Sequence, residues 1–243
     1  ATTAGAVGDI YNGIALLPGV QAAGESGKLM VRGGDSREAQ TFIDEMHVLS
    51  PYTYTPENSA ARGRYSPFLF EGINFSSGGF SSDYSQSLSS VLPLTTKDES
   101  PVTKIGVSLL SVGMGGGGTK AWANSSLSFN GDYQNIGPYN KLFPDSYDWI
   151  NPYQRISGES QFRKTLANKG IWKTYLAYDR TSFAQHTSEA FNPINRRMDF
   201  EEDNLYLNST FRKTLGKGYK FFSGVAISSN KKRMDGARLA SDA

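Results

Sequence analysis

Cysteine is absent from the 243-residue chain, and histidine occurs only twice, at His47 and His186. The lack of cysteine excludes disulfides, thiolate metal sites and a cysteine nucleophile. The two histidines lie far apart in sequence, and no motif predicts a metal or a cofactor. Ser36, His47 and Asp44 could be nominated as a hydrolase triad, but no nucleophile elbow surrounds the serine. The sequence therefore indicates a protein that is not an enzyme.

An excess of one charge and long apolar runs are also missing. The formal net charge is +2, and the lysines and arginines are scattered, which excludes a nucleic-acid-binding stripe. No run approaches the roughly 20 apolar residues of a membrane-spanning helix, and the start of the chain carries no charged-then-apolar leader. A transmembrane β-barrel remains compatible with these absences, because barrel strands are only alternately apolar.

The chain is rich in aromatic residues and glycine, at 12% and 26 residues, and many windows alternate apolar with polar residues. In the clearest window, 121–133, Leu127 and Phe129 fall on one face and Ser126 and Ser128 on the other. The glycine run at 113–118 predicts a hairpin turn, since no helix follows it as a dinucleotide site requires. About six strands are predicted after residue 103, at 104–112, 121–133, 156–167, 171–183, 204–215 and 219–229.

The pentapeptide FRKTL occurs twice, at 162–166 and 211–215, and each copy runs into a glycine-containing turn and an aromatic-rich stretch. This repeat predicts two antiparallel hairpins of similar register. Short turns alternate with longer connections, which are expected at about 134–155 and 185–202. A transmembrane barrel and a water-soluble antiparallel sheet both show this pattern, so the pattern alone leaves both open.

The first hundred residues show a different sequence pattern, with short segments of both helix and strand type. The stretch DIYNGIALLPGV predicts a short amphipathic helix that Asp9 caps and Pro18 ends. Strands are predicted around the turn in KLMVRGGDSREAQTFIDEMHV, and further strands in FLFEGINF and LSSVLPLTTKD. Residues 1–98 therefore predict a small α+β unit.

Three stretches of this unit carry a resemblance to a known family: DIYNGIALLPGVQ, LMVRGGDSREAQTFIDEMHV and FLFEGINFSSGGFSSDYSQSLSSVLPLTTKD. In this order they resemble the plug domain of TonB-dependent outer-membrane receptors, especially the type common in Bacteroidetes. The resemblance implies an α+β plug domain at 1–98, followed at 99–243 by antiparallel strands of a transmembrane β-barrel. About six strands cannot close the roughly 22-stranded barrel of such transporters, so an incomplete barrel is expected, with the TonB-contacting segment upstream of residue 1.

The function that the resemblance implies is import of a substrate through a plug-gated barrel in the bacterial outer membrane. The implied partners are TonB, outer-membrane lipid, and a surface lipoprotein or other outer-membrane proteins. Counting six strands from the periplasmic side places both FRKTL turns on the outer side. The alternatives are a non-transporting β-sheet binding or adhesion module and a structural subunit of an outer-membrane complex.

Two sets of residues are candidates for function. The charged turns of the predicted plug either pair with the barrel wall, as the resemblance implies, or are ordinary surface charge: Arg32, Gly33, Gly34, Asp35, Arg62 and Arg64. Aromatic residues of the long loop offer planar surfaces for sugars or peptides, or form girdle and loop packing: Tyr139, Phe143, Tyr147, Trp149 and Tyr153. The acidic residues 201–203 are expected to be a solvated loop end rather than a cation site.

Overall fold

The computed structural model of the protein describes residues 8–22, 26–56, 59–84, 87–98, 102–166, 169–189, 192–216 and 218–238. Before residue 99 the elements are α1 (Ile10–Ile14), β1 (Val20–Ala22), β2 (Leu29–Val31), β3 (Ala39–Ile43), β4 (Met46–Val48), a 3-10 turn (Pro67–Leu69), β5 (Phe70–Ile73) and β6 (Ser90–Thr96). After it they are β7 (Lys104–Leu110), β8 (Gly113–Ala121), β9 (Ser125–Asn135), α2 (Gly137–Leu142), β10 (Asp148–Leu166), β11 (Gly170–Glu189), β12 (Asn192–Gly216) and β13 (Tyr219–Arg238). No helix in these ranges is long and apolar enough to cross a membrane.

Residues 8–98, called the N-terminal segment below, contain two small sheets. One pairs β1 with β2, and the other has the order β4-β3-β6-β5, in which β3 and β6 run parallel. The predicted cap of α1 is confirmed, because Asp9 Oδ1 accepts a hydrogen bond from the Tyr11 amide at 2.9 Å. Asp9 Oδ2 accepts another from the Gly63 amide at 3.1 Å, which ties the helix to the following loop.

β7 to β13 form one antiparallel sheet of seven strands in chain order. Within the described residues β7 and β13 have no further partner strand, so the sheet is not closed. The N-terminal segment packs on one face of this sheet, because Tyr175 of β11 and Tyr206 of β12 belong to the same buried core as Val31, Ile43 and Leu94. This face is called inward below, and the opposite face outward.

The predicted hairpin turn at 113–118 is wrong, because these glycines lie inside β8. β8 pairs with β7 on one side and with β9 on the other. The glycine run hid the strand because glycine has no side chain to alternate and is usually depleted in strands. Glycine allows β8 to approach β9 closely, because a Cβ atom on Gly117 would lie 2.7 Å from the carbonyl oxygen of Phe129.

Replacing Gly117 by alanine should therefore destabilise the sheet by about 1 to 3 kcal/mol, since the added methyl group forces β8 away from β9. The matched control is Gly106→Ala on β7, where a Cβ atom meets nothing within 4 Å. Urea unfolding of the two variants measures the difference. Equal free energies of unfolding for both would contradict this account of the glycine run.

The additional strand changes the sidedness predicted for the repeat. In antiparallel chain order the connections alternate between two ends of the sheet. At one end, the turn edge, β8 is followed by β9, β10 by β11 and β12 by β13. At the other end, the loop edge, β7 is followed by β8, β9 by β10 and β11 by β12. Both FRKTL turns therefore lie at the edge where β7 begins, and the six-strand count that placed them at the opposite edge is wrong.

The similar register predicted for the two hairpins is confirmed. Phe162 pairs with Thr174 and Phe211 with Ser223, an offset of 12 in both cases (174 − 162 and 223 − 211). The long connections are shorter than predicted, because β11 and β12 continue through most of 185–202, where His186 pairs with Arg197. The strand predicted at 121–133 begins only at Ser125 and runs to Asn135.

The two faces of the seven-stranded sheet differ in character. On β9 the alternation is as predicted: Leu127 and Phe129 are exposed on the outward face, whereas Ser126 and Ser128 are buried on the inward face. A row of paired outward residues crosses the sheet from Phe129 through Ser160, Leu176 and Leu207 to Ile227. Inward positions of the central strands carry charged and amide side chains, which contact the N-terminal segment.

Candidate functional site

Arg64 is the centre of a buried ionic network between the N-terminal segment and the sheet. Its guanidinium forms salt bridges with Asp179 of β11 and, at 3.2 Å, with Glu202 of β12. All three side chains are at most 2% exposed. The remaining donors of Arg64 bond to the carbonyl oxygens of Ser50 (3.1 Å) and Tyr52 (2.7 Å), so the buried charge is fully hydrogen-bonded.

The network continues along the inward face of the sheet. Arg155 of β10 pairs with Asp179 and, at 3.5 Å, with Asp132 of β9, and it donates a hydrogen bond to the Arg64 carbonyl oxygen at 3.1 Å. Asp179 therefore pairs with two cations, Arg64 and Arg155. Such sharing offsets the desolvation that makes an isolated buried pair costly.

Glu202 corrects the prediction that residues 201–203 form a solvated loop end. These residues lie within β12, and Glu202 is fully buried, with Asn230 donating to it at 2.7 Å and Lys232 at 3.5 Å. Strand alternation sends Glu201 and Asp203 to the outward face, where they pair with Arg180. The acidic run is thus one inward charge between two outward ones.

A second ionic cluster lies nearer the turn edge. Asp44 and Glu45 form the β3–β4 turn with positive φ angles of 48° and 70°. Non-glycine residues adopt this region at a cost of about 1 kcal/mol or more each. The turn directs the Asp44 carboxylate to Lys173 of β11 at 3.4 Å and the Glu45 carboxylate to Arg212 of β12. Lys173 also pairs with Asp98 and donates to the Thr96 carbonyl oxygen at 2.7 Å.

Backbone groups of the N-terminal segment also bond to inward side chains. The Ser66 amide donates to Glu159 at 2.8 Å, and the Tyr54 amide donates to Glu202 at 3.3 Å. Asn208 donates to the Ile43 carbonyl oxygen at 2.9 Å. An interface made of charges and hydrogen bonds can separate at a lower cost than an apolar one, because water replaces the lost partners.

The six residues predicted for the plug motif lie in two different places. Arg32 to Asp35 form an exposed turn after β2, in which Asp35 pairs with Arg37 at 2.9 Å rather than with the sheet. Arg62 is exposed, while Arg64 is buried in the ionic network. Within the described residues, Arg64 is thus the only member of the set with a salt bridge to the sheet. The hydrogen bond from Arg37 lowers the pKa of the Asp35 carboxyl.

The five predicted aromatics form two groups. Tyr139 and Phe143 of the α2 region contact each other with tilted rings, whose centres are 5.0 Å apart. Tyr147 contacts Trp149 at 5.1 Å, and both Trp149 and Tyr153 contact Phe183. Trp149 and Tyr153 lie on β10 rather than in the predicted loop.

The structure adds three aromatic residues that the sequence did not single out. Tyr54 stacks on Phe200 with ring centres 3.9 Å apart, and Phe200 stacks on Phe183 at 5.2 Å. Tyr54 comes from the N-terminal segment, whereas the other two are inward residues of β11 and β12. An open groove of about 800 Å³ borders Tyr54 on one side, and a cavity of about 420 Å³ borders Phe183 and Phe200 on the other.

Tyrosine hydroxyls help to hold the N-terminal segment together. Burial raises the pKa of Tyr52 to about 12 and the pKa values of Tyr11 and Tyr65 well above the ordinary value, so all three are neutral. The Tyr52 hydroxyl accepts from the Leu29 amide at 3.2 Å, and the Tyr11 hydroxyl bonds to Thr41 at 2.8 Å.

The described residues contain no group of His, Asp and Glu side chains arranged to hold a metal ion.

No protein-family model and no curated protein matches the sequence. Among solved structures, the copper transporter OprC matches with a TM-score of 0.63 at 10% identity, covering 97% of this chain and 45% of OprC. Two other solved structures match with TM-scores below 0.5, which is too low to show a common fold. They are a mutant of the ferric enterobactin receptor PfeA from Pseudomonas aeruginosa (0.49, 12% identity, 93% of this chain and 43% of that chain) and the FrpB iron transporter from Neisseria meningitidis (0.45, 11% identity, 93% and 45%).

The likeness to OprC shows the fold of this chain, which spans 45% of the length of OprC. The fold agrees with the one expected from the resemblance of the N-terminal sequence. It has no bearing on the Bacteroidetes type.

Proposed function

We propose that the chain carries the plug and part of the barrel wall of a TonB-dependent receptor that imports a substrate across the bacterial outer membrane. The plug is residues 1–98, and β7 to β13 belong to the wall. The observation that carries this proposal is the opposite character of the two faces of one sheet. The inward face holds the N-terminal segment through charges and hydrogen bonds, and the outward face carries an uncharged band across its middle.

The height of that band supports a membrane location. On β12 the outward positions between Lys213 and Asp203 are Phe211, Ser209, Leu207 and Leu205, none of which is charged. These ten residues span about 33 Å along a strand. At a tilt of roughly 40° the span corresponds to about 25 Å, the height of the apolar band on outer-membrane barrels.

In this proposal TonB pulls the N-terminal segment, and the Arg64 and Lys173 clusters open and take up water. In this proposal the turn edge lies in the periplasm and the loop edge lies outside. Substrate binds at the loop-edge end of the plug beside Tyr54, Phe183 and Phe200, with Trp149 and Tyr153 flanking them. A Bacteroidetes-type receptor would also work with a surface lipoprotein.

Movement of the plug can be tested with a cysteine at an inward position that the N-terminal segment covers. Thr210 is 5% exposed, so Thr210→Cys should react with a membrane-impermeant maleimide only when the plug moves. We expect labelling to be several-fold faster in cells that contain TonB than in cells that lack it. Equal rates would contradict plug movement driven by TonB.

Two crosslinks provide the matched controls. Glu45→Cys with Arg212→Cys places a short thiol crosslink between plug and wall, and it should abolish the TonB-dependent labelling. Asp35→Cys with Arg37→Cys crosslinks an exposed ion pair within the plug, and it should leave the labelling unchanged. Equal effects of both crosslinks would contradict the plug-to-wall interface as the moving surface.

A further inference from the structure

The outward face carries three lysines near the turn edge: Lys120 of β8, Lys164 of β10 and Lys213 of β12. Lys120 and Lys164 are exposed, and Lys213 is half-buried. None of the three forms a salt bridge with another described residue. Their neighbours on inward positions, Arg212 and Lys173, are paired with acidic residues of the N-terminal segment. Among the described outward residues at this edge, the three lysines therefore have no acidic partner.

The FRKTL repeat places two of these lysines on the two strands that flank one tryptophan. Lys164 pairs directly with Trp172 on β11, and Trp172 pairs on its other side with Phe211. Lys213 lies two residues beyond Phe211 towards the turn. From strand spacing and rise, the Cα atoms of Lys164 and Lys213 lie about 12 Å apart. Two extended lysine side chains can therefore converge on one anionic group in front of Trp172.

Aromatic side chains form the membrane-facing floor of this arrangement. Phe162 meets Trp172 edge-on at 5.8 Å, and Phe211 contacts Phe221 at 6.1 Å. The Trp172 indole donates its N–H to Ser209 at 2.8 Å, on the side away from the turn, so no polar group of the ring is unsatisfied in an apolar surrounding. An indole ring with lysines beside it is typical of the border between the acyl chains and the headgroups of a bilayer.

The charge at the loop edge is different. Outward cations there have acidic neighbours: Arg180 lies at 3.5 Å from Glu201 and 3.9 Å from Asp203, and Arg197 pairs with Asp199 at 2.7 Å. Lys231 and Arg233 of β13 lie opposite Asp203 and Glu201 of β12 in the strand register. Among the described outward residues within about four positions of the connections 167–169 and 217–218, none is acidic. Only the turn edge therefore offers a net positive surface next to an aromatic rim.

We propose that Lys164 and Lys213, with Trp172 between them, form a binding site for the headgroup phosphate of an anionic phospholipid in the membrane leaflet at the turn edge. The two ammonium groups bind the phosphate, and the acyl chains lie along the outward row from Trp172 towards Leu176. The repeated pentapeptide builds the site by placing a lysine on each strand that flanks β11. This site rests on the proposed membrane function.

The test uses the intact protein, expressed from its complete gene and reconstituted in nanodiscs of equimolar phosphatidylglycerol and phosphatidylcholine. Native mass spectrometry counts the lipids of each class that remain bound after release. We expect phosphatidylglycerol to be enriched on the unmodified protein. Lys164→Gln with Lys213→Gln should lower the association of phosphatidylglycerol roughly 10- to 30-fold, because each lysine near an anionic lipid surface strengthens binding about 3- to 5-fold. Retention of phosphatidylcholine should not change.

The matched control is Lys141→Gln with Lys231→Gln, which removes two exposed charges at the loop edge and should leave the enrichment intact. Lys164→Arg with Lys213→Arg should preserve it, because the charge stays in place. Equal retention of both lipids, or an equal loss in the control pair, would overturn the site while the protein still spans the bilayer. A protein that enters neither lipid contradicts the membrane function itself, and the site with it.

Discussion

Replacing Arg64 by methionine should weaken the attachment of the N-terminal segment to the sheet by about 3 kcal/mol. Methionine has a comparable length, but it leaves the Asp179 and Glu202 carboxylates in a buried site without their shared cation. Breaking a buried pair from one side typically costs about 3 to 5 kcal/mol. The lower figure is expected here because Arg155 and Lys232 still contact the two carboxylates.

Backbone hydrogen exchange measures this effect. The Arg64 amide donates to the Pro51 carbonyl oxygen and the Thr53 amide to that of Arg62, both at 2.9 Å. A loss of about 3 kcal/mol accelerates exchange of these amides roughly 100-fold. Arg62→Met, at an exposed position two residues away, is the control and should change exchange little. If both variants exchange alike, the buried network does not hold the segment.

A second large effect is expected from arginine substitutions at two outward leucines of similar exposure. Leu176 and Leu166 are 39% and 37% exposed, but Leu176 lies midway along the uncharged band and Leu166 at the turn edge. In a bilayer Leu176→Arg should cost about 2 to 4 kcal/mol, and Leu166→Arg about 1 kcal/mol or less. In a water-soluble sheet the two positions are equivalent surface sites, and the two costs should agree.

Urea unfolding of the intact protein, folded in lipid vesicles, gives the two free energies. Ser128, the polar neighbour of Phe129, is not suitable for this comparison. Ser128 is 3% exposed and bonds to Thr119 at 2.8 Å, so an arginine there would lack space whichever environment surrounds the sheet. A similar cost at Leu176 and Leu166 would favour the binding or adhesion module over the transporter.

The local sequence was sufficient to predict those features that depend on neighbouring residues. The cap at Asp9, the strands at 29–31, 39–43 and 90–96, and the alternation around Phe129 follow from side-chain type and spacing alone. The FRKTL repeat predicted the two hairpins because the register and the turn of a hairpin are set by a few consecutive residues. β8 was missed for the opposite reason, since a run of glycines has no alternation to detect.

The contacts of the candidate site depend on residues far apart in the chain. Arg64 lies 115 positions before Asp179, and nothing near Arg64 distinguishes it from the exposed Arg62. A partial signal exists in the strand itself. Asp179 follows Tyr175 and Ala177 at alternate positions, and Glu202 alternates with Phe200 and Asn204, so each acid lies on a face that is otherwise buried. An acid on the covered face of a strand predicts a cation from the element that covers it.

The spacing of Arg64 and its partners also sets an order of events in time. During synthesis at about 5 to 20 residues per second, Asp179 follows Arg64 by 115 residues, or roughly 6 to 25 s. Until then the guanidinium has only the carbonyl oxygens of Ser50 and Tyr52 to bond, and water competes for it. The desolvation penalty of a lone cation opposes closure around Arg64. The loop around Arg64 therefore stays hydrated and open until the later strands supply their carboxylates.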